Sequence, residues 1–377
     1  MSDAVLDDHI LIIGAGIIGL TCAWRLARDG HRVFIIEARS PGAGATGVAG
    51  GMLGLTAEVQ YGEDDLLELQ RRSRKIYPDF LEGLRRESGI DCRYNNEPTL
   101  VVARDRDDVE ALERTLDYQK RVGLDARWAD DSEVRNRAPA LRNIRRAVIC
   151  PDDHRVDPRR LVDALTTALD KRDVELLEDA PVDAIIHRDG RAAGVRLEDG
   201  RRFFADKTIV CAGTWSGRID GIPEFERPVL RPVRGQVLTL GDGPGPSIEC
   251  VVRSPDVYLV PRRDGRLVIG STMEEKGFDS DVTAGAARRL LDEAWQIMPG
   301  IDERLLARFE SGFRPITLDD RPLLGMSALP GLYLATGHGR HGILLAPVTG
   351  HILANQLWAS RPAANTDASF DPRRFSR

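Results

Sequence analysis

The chain predicts an α/β molecule made of two interleaved domains, one wound on a parallel sheet and one built from antiparallel strands. Three observations carry this. "HILIIGAGIIGLTCAWRLARDGHRVFIIEA" opens with strand, helix and strand. A run of short strands punctuated by Asp-Gly turns fills the middle of the chain. Two later segments, "TIVCAGTWSG" and "GLYLATGHGRHGILL", return to a buried strand followed by glycine long after the first unit has ended. The length, 377 residues, fits two domains or one large composite at roughly 150 residues per domain.

Taken in order, residues His9–Ile13 alternate too little to be half exposed and read as a buried parallel strand. Ile17–Arg28 has helical periodicity, Gly30 ends it, and Val33–Ile36 is a second apolar strand. The small-residue loop "SPGAGATGVAGGMLG" leads to a polar helix from about Glu63 to Ser88. "PTLVVAR" is a short strand, a charged helix covers about Asp107 to Val122, and a loop-rich stretch runs into "CPDDHRVDPRRLVDALTTAL", whose end is helical. "VELLEDAPVDAIIHRDGRAAGVRLEDGRRFFADKTIVCAG" reads as a β-meander closed by a buried strand at Thr208–Cys211. Strands and turns continue from "RPVRGQVLTL" to "VYLVPRRDGRLVIGSTM", with a helix near Ala284–Ile297 and another strand before "SGFRPITLDDRPLLG". A strand, a glycine bend and a helix close the fold, and "RPAANTDASFDPRRFSR" reads as a solvated tail.

The chain is 42% hydrophobic and 30% charged, with net charge -6, which excludes a basic face for nucleic acid and favours small-molecule partners. Five scattered cysteines lack metal-ligand spacing and read as buried thiols in a reducing, cytoplasmic setting; no metal site is expected. The acidic N-terminus lacks a secretory n-region, and no apolar run approaches the roughly 20 residues of a membrane span.

Gly14, Gly16 and Gly19 form G-x-G-x-x-G at a strand-to-helix turn, and Glu37 ends the second strand. Glycines allow close backbone approach to a pyrophosphate, the helix N-terminus favours its charge, and the glutamate can accept both ribose hydroxyls. NAD and FAD both remain open on this motif. The loop Gly42–Gly54, with Thr46, could meet a phosphate chain and an isoalloxazine edge, which favours FAD. By themselves, Tyr258 reads as a strand aromatic, Met52 and Met273 as core filler, and Arg314 as either an ion-pair partner of Asp319 or Asp320 or a guanidinium fork for a carboxylate. His154 and His187 read as surface or loop residues, and His338 and His341 as polarity beside a cofactor.

The blocks "IIGAGIIGL", "GVAGGMLG", "PDDHRVDPRRLV", "VCAGTWSG", "VYLVPRRDGRLVIGSTME", "GFRPITLDDRPLLG" and "GHGRHGILLAPVTG" run in order from Ile10 to about Leu357. In them the chain resembles the FAD-dependent D-amino-acid oxidase and glycine oxidase family, and most of all the thiamine-biosynthesis-type glycine oxidases. The resemblance implies a Rossmann-like FAD-binding domain over 1–85, 150–228 and 313–365, interleaved with an antiparallel-sheet substrate domain over 86–149 and 229–312, and a tail at 366–377. It implies Tyr258, Arg314 and Arg340 as catalytic residues, with Met52, Met273, Gly339 and His341 lining the substrate pocket. Cofactor contacts carried over are Gly14, Gly16, Ile17, Ile18, Gly19, Glu37, Ala38, Ala45, Thr46, Gly50, Gly51, Met52, Val182, Gly213, His338, Gly339, Arg340, His341, Gly342, Ile343 and Leu344.

The implied activity is oxidative deamination of glycine, sarcosine or a small D-amino acid to a 2-oxo acid, ammonia or an amine, and hydrogen peroxide, by hydride transfer to flavin N5. Dioxygen and a homotetramer are the implied partners. A dehydrogenase of a 2-hydroxy or imino acid that passes electrons to a quinone or carrier is the alternative, and a binding module without turnover a third. Two departures stand out. The family tends to an aromatic residue, arginine and asparagine where this chain has Gly339, Arg340 and His341, and no cysteine follows Cys250, so a covalent thioether is not expected and FAD is non-covalent.

Overall fold

The computed structural model describes residues 3–6, 8–244, 247–358 and 368–375. His9–Ile13 and Arg32–Ile36 pair in parallel, flanked by Glu175–Leu177 on one side and by Lys207–Val210 and Leu332–Thr336 on the other; Leu323–Met326 closes that edge antiparallel. Because successive side chains face opposite sides of a strand, Ile10 and Ile12 join the helical layer formed with Ile17–Arg28, Asp64–Ser88, Pro158–Asp170 and Gly342–Trp358, whereas Leu11 and Ile13 face the meander. Both faces are covered, which explains the unbroken apolar run.

The meander comprises Val182–Arg188, Arg191–Leu197 and Arg202–Phe204, with Asp3–Val5 added in parallel. Asp189 and Gly190 both have positive φ, 52° and 73°, the backbone a tight hairpin of this twist requires. A nine-stranded, largely antiparallel sheet forms the second layer system; its one parallel pairing sets Val252–Arg253 against Thr99–Ala103. The helix Ala284–Ile297 packs on it through Leu290, Ala294 and Ile297.

Several expectations are corrected. The loop-rich stretch after Val122 holds two strands, Arg127–Trp128 and Arg146–Cys150, and a helix, Asp131–Arg137. The helix is short but capped by a reciprocal Asp130–Glu133 box; the second strand exists through its pairing with Thr99–Ala103. Leu306–Ile316 pairs with Arg231–Leu240 from end to end, so one continuous strand crosses the boundary expected at 312/313. The tail is not simply solvated: Phe370 is buried in the same core as Leu324 and Leu353, and Arg374 forks onto both oxygens of Asp319 at 2.8 Å. Tail residues 361–367 lie outside the described residues. His154 is not on the surface but in a buried strand beside Leu53, bonded by Tyr94 and Arg74, and burial together with Arg74 pushes its pKa down to about 4.

The five cysteines are free and buried. Among the described residues no helix is long and apolar enough to cross a membrane, and no cluster of His, Cys, Asp or Glu could hold a metal ion.

Candidate active site

The parallel strands His9–Ile13, Lys207–Val210 and Leu332–Thr336 end side by side, and each continues into a glycine of positive φ or a turn holding one: Gly14 at 103°, Gly213 at 52° and Gly337 at 78°. The carboxyl ends of such strands are where α/β sheets hold ligands. A Cβ on Gly14 would lie 2.6 Å from the carbonyl oxygen of Cys211, and one on Gly19 only 1.9 Å from that of Gly14. Glycine is therefore required at both, and the helix Ile17–Arg28 presses directly on the turn. Gly16 supplies no side-chain cap; the Thr46 hydroxyl accepts the Ile17 N–H at 3.0 Å, while Ile18 and Gly19 are buried in the first turn.

Glu37 braces this turn. Its Oε2 accepts the Ala15 N–H at 2.6 Å and its Oε1 the Arg39 N–H at 2.9 Å, which leaves lone pairs on both oxygens for a ribose. Ala38 follows it, and the Ala180 N–H donates to the Glu37 carbonyl at 2.9 Å, which brings the start of the Val182 strand to the same end. Ala45 and Thr46 lie in the short helix Ala45–Val48, which packs on the Leu306–Ile316 strand where Gly312 leaves room for Val48. Gly50 and Gly51 are held by Arg262, which donates to the Gly50 carbonyl at 2.9 Å, and by the Val156 N–H bonded to Gly51 at 2.9 Å. A glycine-only turn, a helix start whose N-cap glycine supplies no side chain, and a carboxylate at the strand end fit the phosphates and ribose of FAD.

Across the second sheet, Tyr258 stands opposite Gly270, and a Cβ at Gly270 would meet the Tyr258 hydroxyl at 2.3 Å. On its other flank Gly50 is similarly close, with a Cβ at 3.1 Å from the ring. Met52 and Tyr258 share the edge of an apolar cluster of Val237, Val251, Val260 and Val268. Burial pushes the Tyr258 hydroxyl up, so it stays protonated.

Arg314 donates to the Thr272 carbonyl at 3.1 Å and to the Ser271 hydroxyl. It sits deep enough for desolvation to lower its pKa, yet keeps accessible surface, as a side chain lining a recess does. Among the described residues no carboxylate ion-pairs with it. Asp319 pairs with Arg374 and Asp320 with Arg231, so the ion-pair reading of Arg314 does not hold.

Arg340 behaves differently from Arg314. Its guanidinium reaches both oxygens of Glu63, at 2.8 and 3.1 Å, and the Glu58 carbonyl at 3.2 Å. His341 is 4% exposed; burial, reinforced by Arg340, pushes its pKa down to about 3. Its Nδ1 is 3.6 Å from Glu58 Oε2, and its Nε2 has no hydrogen-bond partner among the described residues. His338 turns the other way, onto the Thr349 hydroxyl at 3.0 Å. Gly339 has φ 54°, and the nearest atom to a Cβ there would be Ile316 Cγ1 at 4.0 Å.

Gly342, Ile343 and Leu344 begin the last helix, in which Pro347 provides no N–H for the Ile343 carbonyl; the Tyr77 hydroxyl donates to that carbonyl instead, at 3.1 Å. Met273 is 70% exposed on the surface, apart from the buried cluster of Tyr258 and Met52.

Four charged residues here were not singled out in the sequence. Glu58 is held below the usual carboxylate range because Arg253, His341 and Arg340 outweigh the opposing effect of its burial. Glu63 takes Arg340, Arg253 takes Glu58, and fully buried Asp153 accepts the Thr56 and Ala57 N–H groups at 2.6 Å. Burial pushes Asp153 up to about 6 despite those donors. Glu58 and Glu63 have only the signal of acids just beyond a glycine-rich loop, a pattern shared by many solvated turns, and no local pattern marks Arg253 or Asp153.

The bifunctional protein ThiO/ThiG of Synechocystis sp. is 32% identical over 374 residues, covering 98% of this chain but 54% of that relative's length, so the chain spans about half of it. Glycine oxidase of Geobacillus kaustophilus is 31% identical over 350 residues, 92% of each chain; a crystal structure of glycine oxidase from this organism gives a TM-score of 0.85 over 97% of both chains at 30% identity. Iminodiacetate oxidase from Chelativorans sp. BNC1 gives 0.84 at 30% identity, over 96% of this chain and 98% of the other. Residues 9–356 match the family described as FAD dependent oxidoreductase, and the chain belongs to that family.

Proposed function

We propose that this chain, with FAD held non-covalently, oxidises glycine or a small relative, sarcosine or a small D-amino acid, to a 2-oxo acid, ammonia or an amine, and hydrogen peroxide. The observation that carries the reading is Arg314: an enclosed guanidinium with no carboxylate partner among the described residues, beside a protonated tyrosine that itself packs on Gly50. Relatives named glycine oxidase and ThiO/ThiG support the same substrate class and a place in thiamine biosynthesis.

Gly14, Gly16–Gly19, Glu37, Ala38, Ala45, Thr46, Gly50–Met52, Val182, Gly213 and residues 338–344 would hold FAD, which supplies the two-electron acceptor when bound. Arg314 grips the substrate carboxylate through its planar fork, and the Tyr258 hydroxyl donates a further hydrogen bond. Two anchors fix the α-carbon, so the protein contributes chiefly orientation. Met52 bounds the pocket and Gly339 adds no bulk. His341, at about 3, takes up no proton at neutral pH; no side chain acts as the base, and the amine reacts in its neutral form. Arg340 positions Glu63 and the loop end near Glu58. Met273 would contribute by backbone placement next to Thr272. The division into a discontinuous FAD domain and a substrate domain, a homotetramer and a cytoplasmic location complete the proposal.

Purified flavin-loaded protein offered glycine, sarcosine and D-alanine should bleach and release peroxide with at least one of them. Silence with all three overturns the reading. Bleaching with slow recovery in air and no peroxide turns it into the dehydrogenase.

A further inference from the structure

We infer that Glu58 is a specificity-determining residue that restricts the substrate to a single carboxylate by occupying Arg253, as Glu63 occupies Arg340. This rests on the amino-acid oxidase reading above and states which acids that site accepts. Three guanidinium groups gather about Tyr258: Arg314 lies beside it, Arg253 stands directly opposite it across the strand ladder, and Arg340 follows His338, which bridges Ile316 at the end of Arg314's own strand. Arg253 is bonded to Glu58, and a single Arg340 nitrogen, Nη2, reaches both oxygens of Glu63. The two acids are 10% and 15% exposed in their side chains, so neither is free to swing into water. Arg314 alone of the three has no carboxylate partner among the described residues.

Fully buried Asp153 holds the segment that carries Glu58 by accepting the Thr56 and Ala57 N–H groups at 2.6 Å. A substrate's first carboxylate thus finds Arg314. A second carboxylate, carried on the amine nitrogen, would find each remaining cation paired and would meet Glu58 as a like charge where little water screens it. An uncharged N-substituent meets no such repulsion. N-methylglycine is therefore accepted and N-carboxymethylglycine, iminodiacetate, refused.

Methoxyacetate and diglycolate, the ether analogues of these two acids, have no amine to oxidise and test binding apart from turnover. In the holoenzyme, titration followed by flavin absorbance should show methoxyacetate binding at least about tenfold more tightly than diglycolate, the size of effect one uncompensated charge contact produces. Glu58→Gln should shrink that ratio about tenfold, by freeing Arg253 for the second carboxylate. Equal binding of both analogues to the wild type overturns the inference, as does an unchanged ratio in Glu58→Gln. If Glu58→Gln fails to load flavin, Glu63→Gln, which frees Arg340, is held to the same criterion. If the analogues discriminate as stated but none of glycine, sarcosine, D-alanine and iminodiacetate bleaches the flavin, the oxidase reading fails and the charge rule stands. If both amines are oxidised with equal kcat/KM, the charge rule fails and the oxidase reading stands.

Discussion

Arg314 donates only to the neutral Ser271 and Thr272 groups among the described residues, so under the proposed activity a substrate carboxylate would be the first charge it pairs with. Truncating one partner of an enclosed charge pair costs about 2–5 kcal/mol, and Arg314→Leu should raise KM for glycine at least about 30-fold while flavin absorbance per chain is unchanged. A KM within error of wild type would strip Arg314 of that role. His341 makes the opposite case: a group held at about 3 does not titrate where the enzyme works. His341→Asn should therefore leave the shape of the kcat pH profile unchanged above about pH 6, and a displaced limb would show that the imidazole does carry a proton. Arg314 and Tyr258 could be singled out in the sequence because their flanking blocks are specific. Glu58 and Asp153 were not, because an acid's burial depends on chain segments far away in sequence.

At the scale of elements, the turn Gly14–Gly19 is where local sequence and function coincide. A methyl on Gly19 would sit 1.9 Å from the Gly14 carbonyl oxygen, so Gly19→Ala should push the helix from the strand end and give protein with little bound FAD, seen as loss of visible absorbance after gel filtration. Retention of full colour would show that the helix moves freely. The last helix depends on a neighbour instead. Tyr77→Phe leaves the Ile343 carbonyl without its donor beside Pro347 and should cost about 1–3 kcal/mol, read as a lower denaturation midpoint. Periodicity located the long helices and buried strands to within a few residues. It passed over Arg146–Cys150, five residues whose strand character comes from Thr99–Ala103 across the ladder, and it passed over the capping box at Asp130, which was readable but sits on a helix of only seven residues.

For the whole molecule, acid is the expected weak point. His338 and His341 are at about 3 when folded, against an ordinary 6.5. The unfolded chain takes up those two protons first, so stability falls as pH drops from 6.5 toward 3. Glu58, held low when folded, works in the same direction below its ordinary range. Asp153 opposes them: raised to about 6 from 3.8, it adds stability as pH falls through that interval. His154, at about 4 when folded, adds to the loss; three histidines outweigh one carboxyl, and the melting temperature should decline below about pH 6, so a flat profile down to pH 4 would contradict the burial of these rings. The docked tail is a second whole-molecule feature. Phe370→Ala should lower the melting temperature, since emptying a buried phenylalanine site costs about 3–5 kcal/mol in a closed core and less near a chain end.

The sequence alone determined the dinucleotide turn and the strand and helix periodicities, since each depends on residues close together, and it left Arg314 open between an ion pair and a free fork. Only the tertiary structure decided that Asp319 and Asp320 are spent elsewhere, that Glu58 and Glu63 neutralise two of the three guanidinium groups, that His154 is enclosed and that the tail returns to the core. Charge pairing and burial are properties of neighbours brought together from distant segments, and no local pattern encodes which neighbour arrives.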